Sequence, residues 1–124
     1  MIDFQNGGFF KLKQTDTANG VKMVQDLLID GEQVLAAYKN IRDYVVFTVK
    51  RAIAVNLQGV TGKKRDFTSL PYATISSYSV ETSGVGDFDT ELELWYSGLG
   101  RVRFEFTGGS DIRQIGKLIA SYTL

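Results

Sequence analysis

The chain has 124 residues and a mass of 13.8 kDa, close to the commonest size of a single domain. Fourteen Lys and Arg cancel fourteen Asp and Glu at a pI near 6.2, which excludes bulk attraction to nucleic acid or an anionic membrane. Histidine and cysteine are absent altogether, so disulfides, zinc sites on thiolate or imidazole, Ser-His-Asp triads and every imidazole base are excluded as well.

A chain of this mass buries about two-thirds of its extended surface on folding, enough for a core without metal or crosslink. Met1 to Phe10 shows no basic start followed by a long apolar run, and no stretch nears the roughly 20 apolar residues of a membrane span. A cytoplasmic protein is the expectation. Gly7, Gly8, Phe9 and Phe10 read as a short aromatic turn. Asp16 or Thr17 then caps a helix whose apolar positions are Val21, Val24, Leu27 and Leu28, with Gly20 weakening its start and Asp30-Gly31 ending it.

From there the apolar period changes to two. Seven strand-like runs follow: 33–38, 44–50, 52–57, 65–70, 75–82, 91–96 and 101–107. Val45, Phe47 and Val49, then Ile53, Val55 and Leu57, then Leu92 and Leu94, then Val102, Phe104 and Phe106 alternate with polar neighbours such as Thr48, Lys50, Glu91, Glu93, Arg101, Arg103 and Glu105. Such alternation predicts antiparallel sheets with one wet face. The connections at 41–43, 58–62, 71–72, 84–87 and 97–100 are too short for crossover helices. Tyr38, Tyr44, Tyr72, Tyr78 and Tyr96 read as core margins. Ser110 or Asp111 caps a last helix with the stripe Ile112, Ile115, Leu118, Ile119 and Tyr122, in which Gly116 implies a close approach to the sheet. The organisation is one domain over 1–124: an N-terminal extension and helix over 1–30, strands over 33–107, and a C-terminal helix over 110–123.

This order of elements, with the stretch Tyr44 to Lys64, resembles the bacterial pleckstrin-homology-like (PH-like) domains. The matching segments are Phe-Thr-x-Lys-Arg at Phe47 to Arg51, Gln-Gly-x-Thr-Gly-Lys-Lys at Gln58 to Lys64 and Ser-x-Pro-Tyr-x-x-Ile at Ser69 to Ile75. Val-Glu-Thr-x-Gly at Val80 to Gly84 and Glu-Leu-x-Leu-Trp at Glu91 to Trp95 complete the match. The resemblance implies a mainly β fold: a sandwich or partly open barrel of two near-orthogonal antiparallel sheets capped by the C-terminal helix. It also implies a cyclic homo-oligomer, with a pentamer-like ring as the expectation. It brings no catalytic residue, no cofactor and no metal, and fold alone transfers no phosphoinositide function.

The zero total charge hides a segregation. Lys39 to Asp66 holds seven basic residues against two acidic ones, whereas Glu81 to Glu93 holds five acidic residues and no basic one. Basic and acidic poles of neighbouring copies then make a head-to-tail contact, which closes into a ring when the rotation allows. The candidate interface residues are Lys63, Lys64, Arg65, Glu91, Glu93, Trp95, Arg101 and Arg103, and an unidentified protein partner is expected besides the chain itself. The bland alternative pairs Glu93 with Arg101 or Arg103 inside one chain, and stacks Trp95 on one of those arginines. A second functional reading gives Lys39, Arg42, Lys63, Lys64 and Arg65 to an anionic lipid head group or small phosphorylated ligand. Gly59 to Lys64 fails as a phosphate loop, and Gly84 to Gly86 and Gly98 to Gly100 fail as dinucleotide motifs, for want of spacing and a following helix. Asp87, Asp89 and Glu91 do not have the spacing of a calcium loop. The acidic run and neutral total also oppose nucleic acid. The reading is a non-enzymatic interaction module.

Overall fold

The computed structural model describes residues 1–84, 89–108 and 112–124. Its first strand, β1 (Phe9–Thr15), occupies a segment expected to turn. The signal is hidden by a bulge: Lys11 takes a φ of 54°, so the inward side chains Phe9 and Leu12 are three residues apart instead of two. Helix α1 (Thr17–Val24) follows, capped by Asp16, whose Oδ1 accepts the Asn19 N–H at 2.8 Å. A single 3₁₀ turn at Gln25–Leu27 replaces the last turn expected of the helix. Val21 and Leu27 are consequently more than a third exposed, and Gly20 and Val24 supply the buried contact. Gly20 is needed for that contact, because a Cβ there would lie 2.7 Å from the Cβ of Ala37.

The remaining strands are β2 (Val34–Lys39), β3 (Asp43–Thr48), β4 (Arg51–Gln58), β5 (Lys64–Pro71), β6 (Ile75–Glu81), β7 (Thr90–Tyr96) and β8 (Gly100–Phe106). They form one eight-stranded sheet in the order β5-β4-β3-β2-β1-β8-β7-β6, one strand more than expected. Consecutive strands from β2 to β5 and from β6 to β8 pair antiparallel. β1 joins these two arms, antiparallel to β2 from Lys13 onward and parallel to β8 around Phe9 and Leu12. This parallel pair corrects the all-antiparallel expectation. Its two strands come from opposite ends of the chain, so the whole domain serves as the crossover.

The core between the arms is aromatic: Phe104 meets Phe4, Phe9 and Phe47 at centroid separations of 6.1, 5.7 and 6.5 Å. A second cluster of Val24, Val34, Ala37, Val46, Ile53 and Val55 lies under α1. Strands β3 and β4 are therefore buried on both faces, where one wet face was expected. Tyr72 and Tyr38 are core residues and not margins, with Tyr72 fully buried and its hydroxyl donating to the Thr48 carbonyl at 2.8 Å. Burial pushes its phenol well above the ordinary range. Helix α2 (Arg113–Thr123) packs Ile115 and Ile119 into the core, and a Cβ on Gly116 would come within 2.9 Å of Val80, so the predicted close approach is present. Tyr122 is half exposed and rests on Tyr72 at 5.8 Å. The caps Ser110 and Asp111, the turn residues after Gly84 and the Asp87 carboxylate lie outside the described residues.

Candidate functional site

The sequence candidates fall on three surfaces. The first is the outer face of β6, β7 and β8, where register sets three rows side by side: Glu81, Glu91 and Glu105; Ser79, Glu93 and Arg103; Ser77, Trp95 and Arg101. Within this face the Arg103 Nη2 lies 2.5 Å from Glu91 Oε1, and Arg101 Nη1 lies 3.7 Å from Glu93 Oε1. The Glu91 contact holds the Arg103 guanidinium above its ordinary value, with Glu93 and Glu105 adding to it. Two of the four glutamates are thus engaged within the chain: Glu93 with Arg101, as the bland alternative supposed, and Glu91 with Arg103, which it did not name. Glu81 has no ion pair among the described residues. Trp95 is 50% exposed, and the cation over an aromatic face here is Arg103 above Phe10, at 5.5 Å.

Lys63, Lys64 and Arg65 stand together on a second surface, exposed at the β4–β5 turn and the start of edge strand β5. Lys39 and Arg42 stand on a third. They flank the β2–β3 turn and line a trough of about 610 Å³ shared with Phe10, Lys11 and Lys13 of β1. Arg42 is oriented by its Nη1 donating to the carbonyls of Gly59 (3.0 Å) and Leu57 (3.4 Å). Of the five cations proposed as one anion site, Lys39 and Arg42 line this trough and Lys63, Lys64 and Arg65 do not, with Arg42 reaching from the trough to the β4–β5 turn. Lys11 and Lys13 were missed, although they flank Leu12 as strand neighbours should; reading Gly7 to Phe10 as a turn cut that pattern short.

Thr48, read as a polar surface position, is fully buried, and Arg51, counted in the basic run, is turned toward the interior. The buried Glu32 carboxylate accepts from Arg51 Nε and Nη2, both at 2.9 Å, and from the Thr48 hydroxyl at 2.7 Å. Arg51 also donates to the Leu27 carbonyl at 2.7 Å and to the Ser69 hydroxyl at 2.8 Å. The Arg51 hydrogen bonds hold the Glu32 carboxyl far down, at about 2, against the opposing effect of burial. Arg51 fastens the α1 end to β4 and is not part of a basic pole. A polar hollow of about 490 Å³ contains Asp3, Asp43 and Asp66, but each is engaged. Asp66 pairs with the Met1 amino group at 3.0 Å, Asp43 accepts from Asn40 and Asn56 at 3.0 and 2.8 Å, and Asp3 accepts from Asn6. Among the described residues no group of three or more carboxylates is placed to hold a metal ion, and no helix is long and apolar enough to cross a membrane.

A mainly β fold of two arms closed by a C-terminal helix is the architecture of PH domains. The family model for the bacterial PH domain matches residues 3–123, and the chain belongs to that family. It is 48% identical over 122 residues to the uncharacterized protein YjqA of Bacillus subtilis (strain 168), covering 97% of this chain and 98% of that one. Among solved structures it is similar to a DUF1696 family protein with a pleckstrin-homology domain from Shewanella loihica PV-4. There the TM-score is 0.78 and the identity 39%, over 93% of this chain and 99% of the other. A pleckstrin homology domain from Shewanella amazonensis SB2B matches at a TM-score of 0.65 and 42% identity, over 89% and 90% of the two chains.

Proposed function

We propose that this PH domain is a non-catalytic interaction module that assembles head to tail with copies of itself into a ring and engages a protein partner. The observation that carries the reading is the charge on the two free ends of the sheet. β5 and β6 each have a hydrogen-bonded neighbour on one side only. The first begins with exposed Lys64 and Arg65, and the second ends with exposed Glu81. Opposite charge on the two edges favours a heterologous contact between copies over like-to-like pairing, and such contacts close into rings when the rotation allows. Engagement of Asp3, Asp43 and Asp66 by amides and an ammonium group supports the non-catalytic part, since none of the three is left as an acid-base partner for another.

The competing reading, an anionic head group or small phosphorylated ligand on the basic loops, has less support. Lys39 and Arg42 share a trough that Lys63, Lys64 and Arg65 do not line, so the trough gathers two of the five cations. Sedimentation velocity tests assembly. A species several times 13.8 kDa is expected, dissociating in Lys64→Glu/Arg65→Glu and recovered on mixing that variant with Glu81→Lys only where the two altered edges meet. A 13.8 kDa monomer at every concentration and salt level sinks it.

A further inference from the structure

The trough between β1 and the β2–β3 turn retains features that cost stability and are not offset within the chain. Lys13 and Lys39 are direct cross-strand partners, both exposed, and like charges placed opposite each other destabilise a strand pair. Among the described residues no carboxylate forms an ion pair with either, and the carboxylate at the turn, Asp43, is held by Asn40 and Asn56 and does not line the trough. Lys11 adds a third ammonium group from a left-handed backbone position. Arg42 adds a guanidinium that two carbonyls hold in place. Between these cations lie two apolar side chains, Phe10 at 40% exposure and Ile41 at 93%, the latter a β-branched residue at a turn.

We propose that this trough is a docking site for a short acidic peptide segment bearing an apolar side chain, supplied by another protein. Carboxylates of the segment relieve the Lys13–Lys39 repulsion, and its apolar side chain covers Phe10 and Ile41. The trough is open, and its volume, about 610 Å³, is enough to seat a few residues of a peptide along it. An anionic membrane or a nucleic acid fits less well, because the next cation beyond the trough, Arg103 above Phe10, is already paired with Glu91. Strand β8 lies beside β1, about 4.8 Å away, and carries Glu105 in the row with Glu91 and Glu81. A flat or long polyanion meets Glu105, the nearest carboxylate of that row, within the Debye length of about 8 Å. A peptide seated in the trough need not. The inference rests on the interaction-module reading and is independent of ring formation.

The test is fluorescence anisotropy with a panel of labelled octapeptides carrying four Asp or Glu around a central Phe, Leu or Trp, each beside a twin with Lys in place of the acids. Acidic members are expected to bind, with affinity falling severalfold between 50 and 200 mM salt. Lys13→Glu should lower that affinity at least tenfold while raising the melting temperature by about 1 to 4 °C, because it turns a repulsive pair into an attractive one. Lys64→Glu should leave peptide affinity unchanged whatever it does to assembly, so the two readings fail separately. Three results overturn the proposal: no acidic peptide exceeding its Lys twin, Lys13→Glu binding as the parent does, or phosphatidylglycerol vesicles captured through Lys13 while the peptides are not.

Discussion

Strands β2 to β4 bury side chains on both faces, whereas β6 to β8 turn one face to the core and leave the other to charge. On the first arm Val45 and Phe47 point into the aromatic core while Val46, Ile53 and Val55 lie under α1. On the second, Leu92, Leu94, Val102, Phe104 and Phe106 are fully buried and Glu91, Glu93, Trp95, Arg101 and Arg103 face outward. Helix α1 makes the difference, because it covers the outside of the first arm and has no counterpart among the described residues over the second. An arm closed on both faces has few side chains to spare for partners, and its polar residues there serve the fold. The open arm and the bridging strand β1 hold most of the surface on which recognition can be built.

The largest effect that tests this contrast is expected at Arg51. Arg51→Ala leaves the buried Glu32 carboxylate without its cation and removes the tie to Leu27, at a cost of about 2 to 4 kcal/mol in urea unfolding. Glu32 is held at about 2 in the folded chain against 4.5 in the unfolded one. Its contribution to stability is therefore complete above pH 4.5 and is lost as the pH falls toward 2. In Arg51→Ala the largest effect lowering that carboxyl is gone and only the Thr48 and Ile29 hydrogen bonds still oppose burial, so the acid loss should begin at higher pH. An unchanged acid limb would show that Glu32 does not depend on Arg51. A smaller loss is expected for Gly20→Ala. The helix gains about 1 kcal/mol of propensity, but the new methyl sits 2.7 Å from Ala37 and overpacks the α1 contact. A net loss of about 1 to 2 kcal/mol is expected, partly recovered by adding Ala37→Gly. Net stabilisation would mean that α1 yields without cost and does not close the first arm tightly.

Legibility followed the same division. Alternation gave β7 and β8 their inward residues correctly, because a half-wet strand writes its burial in the pattern. The first arm was harder, since strands buried on both faces lose the polar half of the signal, and Thr48 and Arg51 looked like surface residues while serving Glu32. β1 was unreadable for a local reason: its bulge at Lys11 shifts the apolar spacing, and its partners are β2 on one side and the distant β8 on the other. With β1 went Lys11 and Lys13, and so half the basic side chains of the trough. The opposite charges of residues 39–66 and 81–93 were visible from the start. An in-chain pair for Glu93 was legible as the alternative, but the Glu91–Arg103 pair was not, because diagonal contacts across the β7–β8 hairpin depend on side-chain reach as well as register.

The smallest expected effect on folding is at Trp95, where the open arm differs most sharply from the closed one. The indole is half exposed between Ser77 and Arg101 in register, and its removal uncovers no cavity. Trp95→Ala should change the unfolding free energy of the dilute chain by no more than about 0.5 kcal/mol. A large aromatic on an outer face concentrates contact energy when a second surface covers it, so the same substitution should weaken head-to-tail assembly at least tenfold in sedimentation. The parent's single tryptophan should also shift its fluorescence to shorter wavelength as concentration drives assembly. A loss above about 1 kcal/mol in the dilute chain would place Trp95 among the residues that hold the second arm together. An unaltered assembly constant would take it out of the contact, and leave Glu81 to carry the acidic edge alone.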